Sequence, residues 1–199
     1  GACQAYLVIG KMRHGDVMSE TIDKLLDAAE SSIRLRGYHA VSFRDLAAEL
    51  GIKSSSVHYY FRQKEDLGLA VVDQYAARVI AAVEAAASDA RTSSEKLRAF
   101  CSVYRQALTE SDRICLCGML GAESCGLPDK LAAAVATFFQ ANVDWIANAL
   151  PKDMPLRTRR KRAAHILATL QGAMIVAGTL KSHKVFDDAV ADMLDGIAI

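Results

Sequence analysis

Between Leu50 and Lys64 the chain carries three cations, Lys53, Arg62 and Lys64, and no carboxylate. The same stretch holds Ser54, Ser55, Ser56, His58 and Tyr59 in near-continuous order. These residue types break no bonds by themselves; they suit a surface that faces a polyanion. Cations neutralise phosphates, short hydroxyls let a helix sit deep in a groove, and Tyr and His reach phosphates or base edges. The competing reading is a helix whose polar face merely meets water, which polar residues alone would favour.

Cysteine is the second candidate chemistry. Cys115, Cys117 and Cys125 lie close together, with Cys3 and Cys101 elsewhere. A C-x-C-x7-C array lacks the paired C-x2-C spacing of zinc sites, and no nearby His completes a set, so no metal is expected. A reactive thiolate needs cations or a helix N-terminus, and only Arg113 is near. The favoured role is small apolar filler; a redox or electrophile sensor built on Cys115, Cys117 and Cys125 is the alternative. The odd total of five, without a secretion signal, suits a reducing cytoplasm better than a disulfide framework. The chain lacks G-x-S-x-G, H-E-x-x-H, a phosphate loop and G-x-G-x-x-G. No catalytic residue and no cofactor is expected, and an all-α enzyme ranks last among the readings.

The serine-rich stretch needs helices to present it. Ser42 with Asp45 is a capping pattern, and Leu46, Ala47 and Leu50 supply a buried side. Gly51 ends that helix, where a sharp reversal demands tolerance of positive φ. Ile52 returns to the core, and Val57 with Phe61 marks the inner face of the next helix. Small Ala47 sits where two such helices would cross most closely. The pattern predicts a helix-turn-helix, preceded by a helix from about Ser19 to Arg36 that Gly37 stops.

A longer helix should run from Lys64 toward Ala86, carrying Leu67, Val71, Tyr75, Val79 and Val83 into the body. Thr92 with Glu95 caps another, in which Leu97, Phe100, Cys101, Tyr104 and Leu108 share a stripe. An apolar segment at Ile114 to Leu120 precedes the Gly126-Leu127-Pro128 break, and Leu131 to Leu150 reads as the next long helix. The last two helices fall between Arg157 and Ile199. The basic run at Arg157, Arg159, Arg160, Lys161 and Arg162 reads as a solvated face that pairs with carboxylates. His165 and Gln171 read as satisfied core polar groups, although either could touch a ligand. From Ala163 to Leu180 apolar residues lie all round the helix, which implies burial on more than one side. Phe186, Ala189, Val190, Met193 and Ile197 form its partner's stripe, and Gly172, Ala173, Ala177 and Gly178 would permit close helix contact. Two such helices meeting their symmetry mates predict a four-helix dimer seam.

Composition agrees with an all-α chain: 52% of its 199 residues are hydrophobic and only three are proline. No apolar stretch approaches the ~20 residues that span a bilayer, so no membrane partner is expected. Net charge is +1, and Met12 to Leu67 holds eight Lys/Arg against nine Asp/Glu, so any positive potential must be local. The first residues, GACQAYLVIGKM, fit no helix pattern and make a poor signal peptide.

Gly37-Tyr38, Val41-Ser42-Phe43-Arg44-Asp45-Leu46-Ala47, Leu50-Gly51-Ile52, Val57, Tyr60-Phe61 and Lys64-Glu65-Asp66-Leu67 together resemble the amino-terminal signature of TetR-family transcriptional regulators. Many members have glycine where this chain has Ser55 and tyrosine where it has His58. Residues 1–17 read as a non-native or flexible extension, and the resemblance implies a three-helix DNA-binding head over 18–66 and a helical ligand-binding and dimerisation domain over 67–199. It also implies a homodimeric repressor, joined through its last two helices and released from operator DNA by a small organic effector. The DNA-binding set it implies is Ser42, Arg44, Lys53, Ser54, Ser55, Ser56, His58, Tyr59, Tyr60 and Lys64, with Tyr60 and Lys64 on phosphates. The ligand set is Tyr75, Tyr104, Cys117, Trp145 and His165, a lining that suits a largely apolar or electrophilic compound.

Overall fold

The computed structural model describes residues 14–111 and 113–196, and among these the structure is all-helical. Most of the expected extension over 1–17 lies outside the described residues. The first helix, α1, spans His14–Arg36 and so begins ahead of the expected Ser19. It is followed by α2 (Phe43–Glu49), α3 (Ser54–Tyr60), α4 (Lys64–Ala86), α5 (Ser93–Ser111), α6 (Leu116–Ala122), α7 (Asp129–Ala149), α8 (Leu156–Leu180) and α9 (His183–Gly196).

The head is a compact local assembly. Gly37 stops α1 at φ +84°, and its N–H donates to Ile33 O at 2.8 Å. Ser42 Oγ accepts the Asp45 N–H at 3.1 Å and caps α2. Gly51, at φ +65°, turns the chain so that Ile52 N–H reaches Ala47 O at 2.9 Å. Leu25, Ala29 and Ile33 of α1, Leu46 and Ala47 of α2, and Val57 and Phe61 from α3 and its end are buried together. Full burial of each large apolar side chain is worth about 1.5–3 kcal/mol. That core, rather than the propensity of two seven-residue helices, holds α2 and α3 in place.

The head joins the body twice. The first joint is α4, which continues without a break from Lys64 into the body. The second runs from α1 to the segment around α6. Arg34 donates to Ile114 O at 2.9 Å and Arg113 O at 3.0 Å, and Glu123 accepts the Tyr38 N–H at 2.9 Å. A β-carbon at Gly37 would collide with that Glu123 carboxylate. Buried Glu30 pairs with Arg34 at 3.4 Å and Arg78 at 2.6 Å, tying α1 to α4 as well.

The body surrounds Phe100, Leu116, Leu120, Leu131, Phe138, Ile146, Ile166 and Met174, all buried. The predicted Thr92–Glu95 capping box is present: Thr92 Oγ1 accepts the Glu95 N–H at 3.2 Å, and Glu95 accepts the Thr92 N–H at 2.9 Å. Helix α8 is long and apolar enough by length and composition to cross a bilayer, contrary to the sequence expectation. It packs on α7 and α9 as a core helix does. In its basic first turns Arg159 donates to Met154 O and Ala147 O, while Arg160 meets Asp144 at 4.0 Å. Lys181, in the left-handed conformation at φ +53°, closes the helix.

The two faces of α8 differ from the sequence picture. Ala163, Ile166, Leu167, Leu170, Ala173, Met174 and Ala177 are buried within the chain. Ala173 and Ala177 therefore serve its own core and leave the outer contact to others. Gly172, Ile175, Val176 and Leu180 face out. Phe186 and Met193 of α9 also turn inward; Ile197 lies outside the described residues.

Candidate DNA-contacting face and buried polar cluster

On α3, Val57 points into the head with no exposed area, so the opposite side must face solvent. Ser55, His58 and Tyr59 are exposed there, Ser54, Ser56 and Tyr60 are half-buried, and Tyr59 keeps 76% of its surface. His58 leans edge-on against Phe43 at 4.8 Å, and Tyr59 against Tyr60 at 5.2 Å, which limits the directions these rings can sweep. Lys53 is exposed just before α3, and the Arg44 side chain is 90% exposed with only a 3.9 Å approach to Asp45. Helix α3 itself carries no carboxylate.

Two members of the set have structural duties. Ser42 is the α2 cap. Lys64 Nζ donates to His39 O at 3.1 Å and lies over the Tyr38 ring at 4.5 Å. Burial lowers its pKa, opposed by the Glu123 carboxylate. An ammonium has three donors, so Lys64 is anchored to the α1–α2 loop and still available to a phosphate.

In the body, Tyr75 of α4, Tyr104 of α5 and Cys117 of α6 come together with Cys115 in a buried cluster. Tyr104 donates to Asn142 Oδ1 at 3.0 Å, and Asn142 Nδ2 donates to Phe138 O at 2.8 Å. Burial first, then the neighbouring Cys115, pushes the Tyr75 hydroxyl well above the usual tyrosine range. Tyr104 moves the same way, chiefly through burial, with the adjacent Gln171 amide opposing. Burial pushes the Cys101 thiol up to about 12, and it pushes Cys117 up further, helped by Cys115 and Glu30. Thiols held protonated are poor nucleophiles, which fits the filler role. Of the described cysteines only Cys125 is exposed.

Tyr75 also floors a cleft of about 280 Å³ between α4 and α5. Val79, Ala82, Val103 and Ala107 form its walls, and Arg78, Gln106 and Glu110 stand at its rim. The cluster thus lies directly behind a surface opening.

Two expected ligand residues lie elsewhere. His165 is exposed, because Ala163, Ile166 and Leu167 take the inner side of α8. Trp145 stacks on Phe100 at 5.2 Å and lines a separate outer groove with Glu84, Lys96 and Asn148. Gln171 turns its amide inward, where Nε2 is buried beside the Tyr104 hydroxyl. Asn142, fully buried, escaped notice in the sequence. The signal available was a lone amide on the otherwise apolar Val135–Phe138–Asn142–Ile146 stripe of α7.

Residues 25–71 match the family model for bacterial regulatory proteins of the tetR family. Residues 93–192 match the one for the C-terminal domain of LmrA/YxaF-like transcriptional regulators. The transcriptional regulator AcuR of Cereibacter sphaeroides is 27% identical over 129 residues, covering 63% of this chain. That match spans 59% of the regulator's own length. A TetR-family transcriptional regulator from Agrobacterium tumefaciens superposes with a TM-score of 0.83 at 25% identity, covering 92% of this chain and 100% of that one. A TetR transcriptional regulator from Legionella pneumophila superposes at 0.84 with 24% identity, over 89% and 97% of the two chains.

Proposed function

The chain belongs to the TetR family of transcriptional regulators, and we propose that it is a homodimeric repressor that a small organic effector releases from operator DNA. The observation that carries this reading is the α3 surface: exposed Ser55, His58 and Tyr59 on a helix pinned from behind by Val57. Such a helix can enter a major groove while Lys53, Arg44, Tyr60 and Lys64 hold the flanking phosphates.

The dimer rests on α8. Ile175, Val176 and Leu180 leave 44%, 46% and 62% of their surfaces exposed along one side of an otherwise core-packed helix. Gly172 on the same side has nothing within 4 Å, so a second helix can approach closely. Two heads joined this way would present α3 to grooves about 34–36 Å apart, or a multiple of that. An effector that binds best when the heads are misplaced releases DNA through that difference in affinity alone. Its site is the cluster behind Tyr75, which touches both joints to the head: Tyr75 lies on α4, and Cys117 on α6. Action on operator DNA places the protein in the cytoplasm.

The test is selection of bound duplexes from random DNA by the full chain, followed by sedimentation of the complex. The expected result is a two-half-site sequence bound by a dimer. Binding that shows no sequence preference, or a single head on a single half-site, would overturn the proposal.

A further inference from the structure

The cleft between α4 and α5 is lined by two guanidiniums, Arg34 and Arg78, and both lean on one carboxylate, Glu30. Two guanidiniums that share one carboxylate keep an unmatched positive charge. The two arginines are not equally committed. Arg34 has 10% of its side chain exposed and also donates to the Ile114 and Arg113 carbonyls. Arg78 gives one terminal nitrogen to Glu30 at 2.6 Å, and half of its side chain is open to solvent at the cleft rim. A guanidinium carries five N–H donors in a planar fork that matches a carboxylate. A ligand can replace the water on the open edge of Arg78.

The rest of the opening suits a compact apolar body. Val79, Ala82, Val103 and Ala107 wall it, and Tyr75 floors it. Burial pushes the Tyr75 hydroxyl well above the usual tyrosine range, so the floor adds no negative charge. The one carboxylate in that lining is Glu110, exposed at the rim and accepting the Gln106 amide at 2.6 Å. Solvent and salt screen a charge placed there. The volume of about 280 Å³ lies near the small end of ligand sites, roughly 300–1,000 Å³.

We infer that this cleft takes a small organic anion, with its carboxylate on Arg78 and its apolar body against Val79, Ala82, Val103 and Ala107. The inference rests on the effector-responsive reading above and fixes the charge of the ligand. Occupancy reaches the head because Arg78 is also the partner of Glu30 on α1. A carboxylate in the cleft competes with Glu30 for one guanidinium and so loosens the tie between α1 and α4.

The probes are benzoate and cyclohexanecarboxylate, set against methyl benzoate, cyclohexanone and benzylamine. Each is added to the full chain alone, to read its thermal shift, and to the chain on its selected duplex, to read release. Sodium chloride at equal ionic strength separates occupancy from screening of the DNA contacts. The two carboxylates should raise Tm saturably and release DNA, while the neutral and cationic probes should do neither. Arg78→Gln should weaken benzoate about ten-fold or more. Glu110→Gln removes a like charge from the rim and should tighten it about two- to five-fold. Ala82 is exposed, so Ala82→Trp fills the cleft without entering the core, and it should abolish the benzoate shift with every charge in place. Each response is measured relative to the variant's own unliganded Tm and DNA binding. Equal shifts for benzoate and its methyl ester, no shift with any probe, or full benzoate affinity in Arg78→Gln or Ala82→Trp would overturn the inference. Benzoate that shifts Tm but leaves the duplex bound would leave the anion site standing and sink the effector-responsive reading.

Discussion

The α3 face and the cluster behind Tyr75 both gather polar side chains, but solvent reaches one and not the other. Ser55, His58 and Tyr59 are exposed and keep water as a partner, so their arrangement stores little energy in the free protein. Tyr104, Asn142 and Gln171 have no such reserve, and each must find its partner inside the fold. An unpaired group on the outer face is therefore ordinary, whereas an unpaired group in the cluster would cost stability. The exposed face should tolerate substitution structurally and fail functionally; the buried one should couple stability to ligand binding.

The widest separation expected between surface and interior is chemical. At pH 8 a Cys101 thiol with its pKa pushed up to about 12 is thiolate in about one molecule in ten thousand. Iodoacetamide followed by peptide mass spectrometry should label exposed Cys125 and leave Cys101, Cys115 and Cys117 untouched until the fold opens. Rapid labelling of Cys117 in the native chain would restore the thiol-sensor alternative.

Next in size is the outer side of α8. Val176→Arg should cost the dimer on the order of several kcal/mol by burying an unpaired charge at the seam, yet leave the monomer folded. Sedimentation should show monomers at micromolar concentration; a dimer that persists places the seam elsewhere. Ala177→Arg would not serve, because Ala177 is buried in its own chain.

Within the cluster, Tyr104→Phe leaves Asn142 Oδ1 without its donor and should lower stability by about 1–3 kcal/mol. The comparison variant, Tyr59→Ala on the exposed face, should change stability by less than about 0.5 kcal/mol while weakening operator binding. Denaturant melts of both variants settle it, and equal losses would erase the distinction between the two regions.

The smallest effect is at Lys64. Its replacement by Ala should make the salt dependence of DNA binding shallower by about one unit per half-site, equally for all duplexes. Loss of affinity for one operator alone would show that Lys64 acts by holding His39 and the α1–α2 loop instead.

The sequence by itself determined what short-range physics controls. Gly37 and Gly51 stand where positive φ is required, Ser42 caps α2, Thr92 with Glu95 caps α5, and Val57 with Phe61 pins α3. Each involves partners within a few residues, so the whole helix-turn-helix and its exposed set were legible from one continuous stretch. The tertiary structure alone decided which side of α8 faces inward. Apolar residues all round that helix leave no moment to read, so His165 turned out and Gln171 turned in only once α7 and α9 had packed against it. The same holds for Asn142 with Tyr104 and for Glu30 with Arg78, pairs separated by 38 and 48 positions. Their meeting depends on how helices cross, and no local pattern records a crossing.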